Sequence, residues 1–291
     1  MTRAGRKDRS QLFPSPWRTP ASGRWPTGPG EGKRALLACA LLFAARACAL
    51  AADPFATDWA ASPKSQARLV AAGGDRAGFA IRLAPGAITY WRDPGESGVP
   101  PTFDFAGSDN VAKVEPIFPA PKRIVEPDGG EAFGYEGDVV FPLRVEPIDP
   151  AKPVTLALNA NYAVCEKICL PAQARLRLTL PVAASPYAGL VEAALAAAPR
   201  AVAARDFGEF TPDGSDGWRL CAPAETGSRR DLFVEPPPGW WVTSAPAPGE
   251  AGHDCFRLSL RDKPKDAVLP VTLRLTLTGG RGPVETTIDA P

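Results

Sequence analysis

The sequence predicts an all-β protein made of two β-sandwich blocks joined by one helix. Three observations predict it: apolar residues that alternate with polar ones in many short segments, turns rich in Pro and Gly between these segments, and a single stretch with helical periodicity. The 34 Pro and 27 Gly are spread between short strands instead of being massed in one tract. This spacing is typical of β-sandwiches.

The first block, which we assign to residues 52–184, contains four clearly alternating segments. Successive side chains of a strand point to opposite faces, so the apolar residues of each segment form one face of a sheet. These residues are Phe79, Ile81 and Leu83; Val139, Phe141, Leu143 and Val145; Val154, Leu156, Leu158, Ala160, Tyr162 and Val164; and Leu176, Leu178 and Leu180. Only a short turn separates the last two segments, which therefore predict a hairpin.

Residues 185–204 contain the one convincing helix, which we interpret as a connector between the two blocks. Ser185 suits the N-cap, Pro186 suits the first turn, and Pro199 ends the helix. Its apolar stripe consists of Tyr187, Leu190, Val191, Ala194, Leu195 and Ala198. A helix packed on the first sandwich would give the same pattern.

The second block, residues 205–291, predicts a smaller, sandwich-like β domain with strands near residues 218–221, 232–235, 255–260 and 271–277. Cys221 and Cys255 fall on separate strands. A bond between them would close a loop of about 35 residues and stabilise the domain by roughly 3 to 4 kcal/mol in the chain-entropy model. We therefore predict a structural disulfide here.

Two other features of the sequence give weaker signals. Trp240-Trp241 follows a Pro-rich turn, and we favour core packing beside the Cys221–Cys255 bond over an aromatic binding ledge. Residues 93–98 carry acids and a hydroxyl but no nearby His, so they form no hydrolase triad. No nucleotide-binding fingerprint appears, and no cofactor is predicted.

Residues 1–51 predict a signal peptide with a long basic n-region. Residues 1–34 carry eight Lys or Arg against two acidic residues, and Ala35–Ala45 is an uncharged apolar run of eleven. Such a run is too short to span a bilayer but suits the core of a signal peptide. Because Ala49-Leu50-Ala51 supplies small residues at the right spacing, we predict cleavage after Ala51 and a periplasmic location.

The chain without residues 1–51 is mildly acidic, with 24 basic and 30 acidic residues. This balance argues against nucleic acid or an anionic membrane as a partner. No later segment approaches eighteen consecutive apolar residues, so we expect no membrane span after cleavage. Four cysteines remain, an even number, which predicts disulfides in an oxidising compartment.

Cys165 and Cys169 flank the turn between the last two strands of the first block and are the most informative pair. By strand parity, Cys165 shares a face with Asn161, and Cys169 shares one with Arg175, so both sulfurs leave the apolar face. Pro171 could bulge the strand and reverse this for Cys169. Cα atoms about 5.5 Å apart would lie within disulfide range.

A disulfide across so short a loop contributes little stability, which favours working redox chemistry. A structural hairpin disulfide or an inert reduced pair is the alternative. A metal site is disfavoured because two thiolates need further Cys or His ligands. His253 is the single His, and we interpret it as a surface or loop residue.

Three segments carry a resemblance to a known family: Ile88–Gly98, Phe133–Pro142, and the Cys165/Cys169 hairpin followed by Leu170-Pro171. With them, residues 75–180 resemble the N-terminal periplasmic domain of the DsbD/ScsB family of thiol:disulfide interchange proteins. The resemblance implies an immunoglobulin-like sandwich that passes electrons to periplasmic substrates. It also implies that Cys169 enters the mixed disulfide, that Cys165 resolves it, and that Tyr90 and Trp91 lie beside them.

The sequence departs from the family pattern in three places. Three residues separate the cysteines where the best-known members have five, and residues 127–131 lack the aromatic cap that shields the pair there, unless Phe133 supplies it. The membrane and thioredoxin-like domains are also missing from the sequence. We therefore expect a stand-alone carrier with a separate membrane electron donor, or a module whose remainder is encoded elsewhere.

The function predicted from these observations is that of a thiol:disulfide oxidoreductase that exchanges with thioredoxin-like periplasmic proteins. Lys167 would favour the thiolate and Glu166 would oppose it. The alternatives are a non-catalytic β-sandwich interaction module with structural disulfides and a Cu(I)-handling protein, since soft thiolates suit that ion. Cytochrome c maturation, disulfide isomerisation and metal tolerance all stay open as the pathway served.

Overall fold

The computed structural model describes residues 52–96, 98–126, 129–249 and 251–291. The predicted signal peptide, residues 1–51, lies outside the described residues, as do Ser97 and part of the expected cap segment, residues 127–128. One structural unit, Ala52–Pro291, contains all the elements given below. No helix in the described part of the chain is long and apolar enough to cross a membrane.

The first sandwich consists of two sheets, whose strands are numbered in chain order. In spatial order, one sheet contains β1 (Ala60–Ser62), β2 (Ser65–Gly73), β3 (Arg76–Leu83), β9 (Val139–Pro147) and β6 (Val111–Pro116). The other contains β11 (Cys169–Leu180), β10 (Val154–Cys165), β4 (Ile88–Gly95), β8 (Glu131–Glu136) and β7 (Lys122–Val125), with β5 (Thr102–Asp104) also beside β10.

The core of the first sandwich lies between these two sheets. The alternating apolar residues of β3, β9, β10 and β11 all belong to one buried cluster. Burying this apolar face is the main favourable contribution to folding. The prediction of an all-β sandwich is therefore confirmed for this part of the chain.

The second sandwich also has two sheets. One contains β12 (Arg200–Ala201), β19 (Val284–Ala290), β18 (Val271–Gly280) and β15 (Ser228–Glu235) in that order. The other contains β13 (Glu209–Pro212), β14 (Gly217–Pro223), β17 (His253–Asp262) and β16 (Trp241–Ala247). Apolar residues from both sheets form a second buried cluster.

Two short helices follow the first sandwich in sequence: α1 (Ala188–Ala196), and α2 (Ala204–Phe207), which comes after β12. Helix α1 begins at Ala188, later than the sequence predicts, and in the turn before it the Ser185 hydroxyl accepts a hydrogen bond from Tyr187 N at 3.0 Å. Its buried residue, Val191, packs with Val70 on the outer face of the first sandwich. The expected broad apolar stripe is thus reduced, and Leu190 is exposed.

Strand β15 is buried on both faces and joins the two sandwiches. Leu232 and Val234 lie in the second core, whereas Phe233 between them belongs to the first core and is fully buried. The Phe233 ring lies 5.9 Å from the Trp91 ring and 4.9 Å from the Phe133 ring, measured between centroids. Edge-to-face contacts at these distances are favourable.

Two arginines of the first sandwich make ion pairs on either side of this aromatic contact. Arg92 on β4 binds Glu235 at 2.7 Å and Glu285 at 2.8 Å. Arg123 on β7 binds Asp231 at 3.0 Å. The side chains of Arg92 and Arg123 are only 18% and 17% exposed, so these pairs are poorly screened by solvent.

Candidate redox centre

The hairpin of β10 and β11 brings Cys165 and Cys169 together. The two strands pair without a register shift from Val154 and Leu180 to the cysteines, which face each other. Pro171 therefore causes no bulge, which fits its position in an edge strand. The cysteines form a disulfide with Cα atoms 4.1 Å apart. This is shorter than the 5.5 Å that we expected and is closer to the spacing of a non-hydrogen-bonded antiparallel pair.

The two sulfurs lie on the outer face of the sheet and differ in burial. Cys165 is 3% exposed and packs in a small apolar cluster with Ile88, Tyr90 and Ala132, separate from the main core. Cys169 is exposed. An incoming thiolate can therefore approach the sulfur of Cys169 more easily than that of Cys165.

Tyr90 on β4 supplies the polar contact to the disulfide. Its hydroxyl donates to Cys165 Sγ at 2.8 Å and lies 3.3 Å from Cys169 Sγ. The same hydroxyl lies 3.2 Å from Glu126 Oε1, just after β7. Because a phenol has one hydrogen and the sulfurs of a disulfide only accept, the carboxylate and the two sulfurs compete for it.

The Tyr90 ring is fully buried and is covered by the chain that follows β4. A Cβ built on Gly98 would lie 2.5 Å from the Tyr90 ring and 2.3 Å from Pro94 Cβ. Real side chains do not approach that closely, so this position requires glycine. The close contact fixes the ring and its hydroxyl against the sulfurs.

Two aromatic residues singled out from the sequence lie elsewhere. Trp91 follows Tyr90 on β4 and so points to the opposite face, into the main core. Phe133 packs against Phe233 and does not belong to the Cys165 cluster, so it is not the missing cap. The expectation that Trp91 lies beside the cysteines is therefore wrong, because strand parity separates neighbouring residues.

The turn between the cysteines is exposed and carries both charges noted in the sequence. Glu166 forms an ion pair with Lys64 at 2.9 Å. The hydrogen bond from Lys64 and its charge, with a contribution from Lys167, lower the pKa of Glu166 below its ordinary value. Since Lys64 balances Glu166, the negative charge in the turn opposes a nearby thiolate less than the sequence alone implies.

The second disulfide joins Cys221 on β14 to Cys255 on β17. These residues also face each other across an antiparallel pair, with Cα atoms 4.1 Å apart. A cavity of about 280 Å³ borders the bond and is lined partly by Arg219 and His253. His253 is exposed at the start of β17.

One group of potential metal ligands occurs in the described part of the chain. Glu126, Cys165 and Cys169 place one ligand atom each within 4.8 Å of one another. The sulfurs are joined as a disulfide here and would have to be reduced to act as thiolate ligands. Sequence reasoning missed Glu126, which lies 39 residues before Cys165 and has no pattern that marks it.

The fold and this site define a β-sandwich domain with a disulfide between two paired strands. Residues 57–181 match the family model of the N-terminal domain of the thiol:disulfide interchange protein DsbD. The segment contains Tyr90, Glu126 and both hairpin cysteines. The resemblance noted from the sequence is therefore confirmed.

The fold is also similar to a crystal structure of the N-terminal periplasmic domain of ScsB from Proteus mirabilis. The TM-score is 0.66 at 21% sequence identity, and the match covers 82% of this chain and all of that chain. The likeness therefore extends beyond residues 57–181 and supports the immunoglobulin-like all-β fold. Comparison with curated proteins finds no match.

Proposed function

We propose that this protein carries out thiol:disulfide interchange through Cys165 and Cys169. The observation that carries the proposal is the asymmetry of the pair: the sulfur of Cys165 is buried and hydrogen-bonded to Tyr90, whereas Cys169 is exposed. The match of residues 57–181 to the family model of the DsbD N-terminal domain supports it. A purely structural hairpin bond has no need of a buried hydroxyl donor.

The reaction starts when a partner thiolate attacks Cys169 Sγ. A mixed disulfide forms with Cys169, the Cys165–Cys169 bond breaks, and its electron pair leaves on Cys165 as a thiolate. The second thiolate of the same partner molecule then attacks the partner sulfur in the mixed disulfide. The partner is left with its own disulfide, and Cys169 is released as a thiolate. Two electrons pass from the partner to this protein, and two protons follow from the partner's thiols through solvent. The reverse sequence reduces a partner disulfide.

Tyr90 stabilises the charge that develops in the first step. Its hydroxyl already lies 2.8 Å from Cys165 Sγ, the leaving sulfur, so it can donate to the new thiolate without moving. A hydrogen bond to a charged acceptor is stronger than one to a neutral acceptor. The donor is therefore worth more in the transition state than in the starting disulfide.

The roles of the two cysteines can be tested by trapping. In Cys165→Ala, Cys169 should form a stable mixed disulfide with a thioredoxin-like protein, because no neighbouring thiol remains to resolve it. In Cys169→Ala, the remaining thiol is buried and should trap at least about tenfold less. Non-reducing electrophoresis with mass mapping measures both.

Equal trapping by both variants would contradict the assigned roles while keeping the redox function. Absence of trapping by either variant, with native circular dichroism, would favour the alternative of a non-catalytic module with structural disulfides. The wild-type protein is the matched control, since it resolves its own mixed disulfides.

We propose that the protein and its exchange partners are in the periplasm. The ScsB structure similar to this chain is described as a periplasmic domain, and a structural disulfide such as the one we propose for Cys221 and Cys255 persists in an oxidising compartment. Thioredoxin-like proteins and a separate membrane electron donor are the partners that this role requires. Exported protein should begin near Ala52 on N-terminal sequencing, and an intact N-terminus on cytosolic protein would contradict export.

Cu(I) handling is a second candidate, favoured by the approach of Glu126 to the two sulfurs. The third donor is a hard carboxylate, which suits this soft ion poorly, so we rank this function below interchange. Titration of the reduced protein with Cu(I) against a competing chelator decides between them. Tight binding that Glu126→Gln weakens would support the metal function.

A further inference from the structure

A cavity of about 420 Å³ lies where the two sandwiches meet. Its walls come from the end of β4 and from β7 and β8 on one side, and from the segment before β16 and β16 itself on the other. Clefts between packed domains are common sites of ligand binding. The described walls are rich in carboxylates and indole rings.

The charges of the cavity favour a cation. Among the described residues that line it, Asp93, Glu96 and Glu131 carry carboxylates, and Arg123 carries the one guanidinium. Arg123 is already engaged: it donates to Glu131 at 2.7 Å and to Asp231 at 3.0 Å and 3.1 Å. Its Nη2 also reaches the Leu232 carbonyl and the Ser244 hydroxyl. The charge of Arg123 is therefore already balanced by two carboxylates of the protein.

Asp93 has an acceptor oxygen but no cation of its own. It accepts a hydrogen bond from Gly95 N at 3.1 Å, and within the described part of the chain no basic side chain forms an ion pair with it. Burial raises the pKa of Asp93, and the charge of Glu235 adds to the rise, against the bond from Gly95 and the charge of Arg92. A cation in the cavity would relieve this cost.

The indole rings supply the other half of a cation site. Trp241 is 49% exposed, although core packing was the favoured expectation for this pair, whereas Trp240 packs partly against the second core. The Lys263 ammonium already lies 5.8 Å from the Trp240 ring centroid. Indole faces attract guanidinium and ammonium groups at such distances.

The cavity and the redox centre share one segment of the chain. Asp93, Gly95 and Glu96 line the cavity, while Gly98 in the same segment lies against Tyr90 and Pro94. Three extended residues span on the order of 10 Å, which separates Tyr90 from Asp93 along the strand. A protein that docks on Cys169 with a contact patch of ordinary size would reach the cavity.

We propose that this cavity receives an arginine or lysine side chain of the protein that exchanges with Cys165 and Cys169. The carboxylates and indole rings of the cavity bind the positive side chain and so orient the partner. Cys169 lies within the same docking area. The inference deepens the proposed interchange function, and it makes the second sandwich part of the partner-binding surface.

Direct binding tests the cavity independently of redox chemistry. A cysteine-free glycine-rich peptide with one central arginine, titrated to millimolar concentration into the full-length protein, should shift the indole NMR signals of Trp240 and Trp241. The same peptide with glutamate should leave them unmoved. If the arginine peptide shifts neither signal, or if both peptides shift them equally, the proposal is overturned.

Exchange rates then test the role in docking. Two thiol peptides, with arginine or glutamate four residues from the cysteine, reduce the Cys165–Cys169 bond, and each rate is divided by the dithiothreitol rate of the same variant. At low salt, the arginine peptide should be about fivefold faster. Glu96→Gln should reduce this preference to below about twofold, whereas the matched charge change Asp138→Asn, at an exposed site on the first sandwich, should retain it.

The results of the titration and of the rate experiment distinguish failure of this inference from failure of the proposed function. Binding of the arginine peptide without any rate preference, or a preference that Glu96→Gln and Asp138→Asn reduce equally, would overturn the docking role. A Cys165–Cys169 bond that dithiothreitol cannot reduce would instead contradict the interchange function. The NMR titration would still test whether the cavity binds an arginine side chain.

Discussion

The hairpin disulfide Cys165–Cys169 and the disulfide Cys221–Cys255 both join residues that face each other on neighbouring antiparallel strands. Their Cα atoms are 4.1 Å apart in each case. They differ in the length of chain between the cysteines, which are 4 residues apart in one pair and 34 in the other. The local geometry of the strands therefore does not decide which bond serves stability and which serves exchange.

The surroundings of the two bonds differ as well. The hairpin bond joins the buried Cys165, whose sulfur accepts a hydrogen bond from Tyr90, to the exposed residue Cys169. At the other bond, a Cβ on Gly249 would lie 2.6 Å from Cys255 Sγ, so the chain itself runs against that sulfur. We propose that Cys221–Cys255 fastens the second sandwich, while the hairpin bond exchanges.

The largest expected effect is on stability. Replacing both Cys221 and Cys255 by Ala should lower the free energy of unfolding by about 4 kcal/mol, against about 2 kcal/mol for replacing both Cys165 and Cys169, because the longer loop gains more entropy when it opens. Urea denaturation of the two double variants measures the difference. Equal losses would contradict the division of roles.

The same comparison shows what the sequence could predict. Alternation in β10 and β11 indicated that the cysteines leave the apolar face, and the structure places Cys165 in a cluster apart from the main core and leaves Cys169 exposed. The periodic pattern did not predict their neighbours: Tyr90 was expected only from the family resemblance and Glu126 not at all, since both reach the sulfurs through the sheet order β10, β4, β8, β7. That order is set by pairing between distant segments, which a periodic pattern does not encode.

The contact between the sandwiches was missed for a different reason. Asp231, Phe233 and Glu235 alternate with Leu232 and Val234, and from this segment we predicted only a strand near residues 232–235. A large aromatic residue between two acids on the other face was a signal of a second buried surface. Phe233 and its flanking acids in fact contact Trp91, Arg92 and Arg123.

The next prediction concerns the donor that distinguishes the two bonds. Tyr90→Phe removes the hydrogen bond to Cys165 Sγ, so the leaving thiolate is less stabilised and dithiothreitol should reduce the hairpin bond about tenfold more slowly. Timed alkylation and mass mapping follow both pairs in one sample. Reduction of Cys221–Cys255 should not change.

Tyr135→Phe is the matched control for this substitution. Tyr135 is also buried, but its hydroxyl donates to the Pro119 carbonyl at 2.8 Å in the main core. It should lower stability without slowing reduction of the hairpin bond. Equal slowing by both variants would show that general loosening, and not the hydroxyl at the sulfur, controls exchange.

The smallest expected effect concerns the ion pairs through which the second sandwich holds β4, two residues after Tyr90. Burial opposes ionisation of Glu285, but hydrogen bonds from Arg274 and Arg92 outweigh it and lower the pKa of Glu285 below its ordinary value. A lowered pKa means that the stabilisation is fully present above the unfolded-state pKa, about 4.3, and is lost as the pH falls further. Glu285→Gln should therefore lower the free energy of unfolding by about 1 kcal/mol at pH 7. The difference from wild type should shrink below about pH 4.

The exposed pair of Glu115 with Arg144, 3.2 Å apart, supplies the control Glu115→Gln, which should change stability by less than about 0.5 kcal/mol. If Glu285→Gln also slows reduction of the hairpin bond, the second sandwich positions Tyr90 as well as fastening the fold. A loss that persists unchanged at pH 3 would show that packing, and not the charge of Glu285, holds the two sandwiches together.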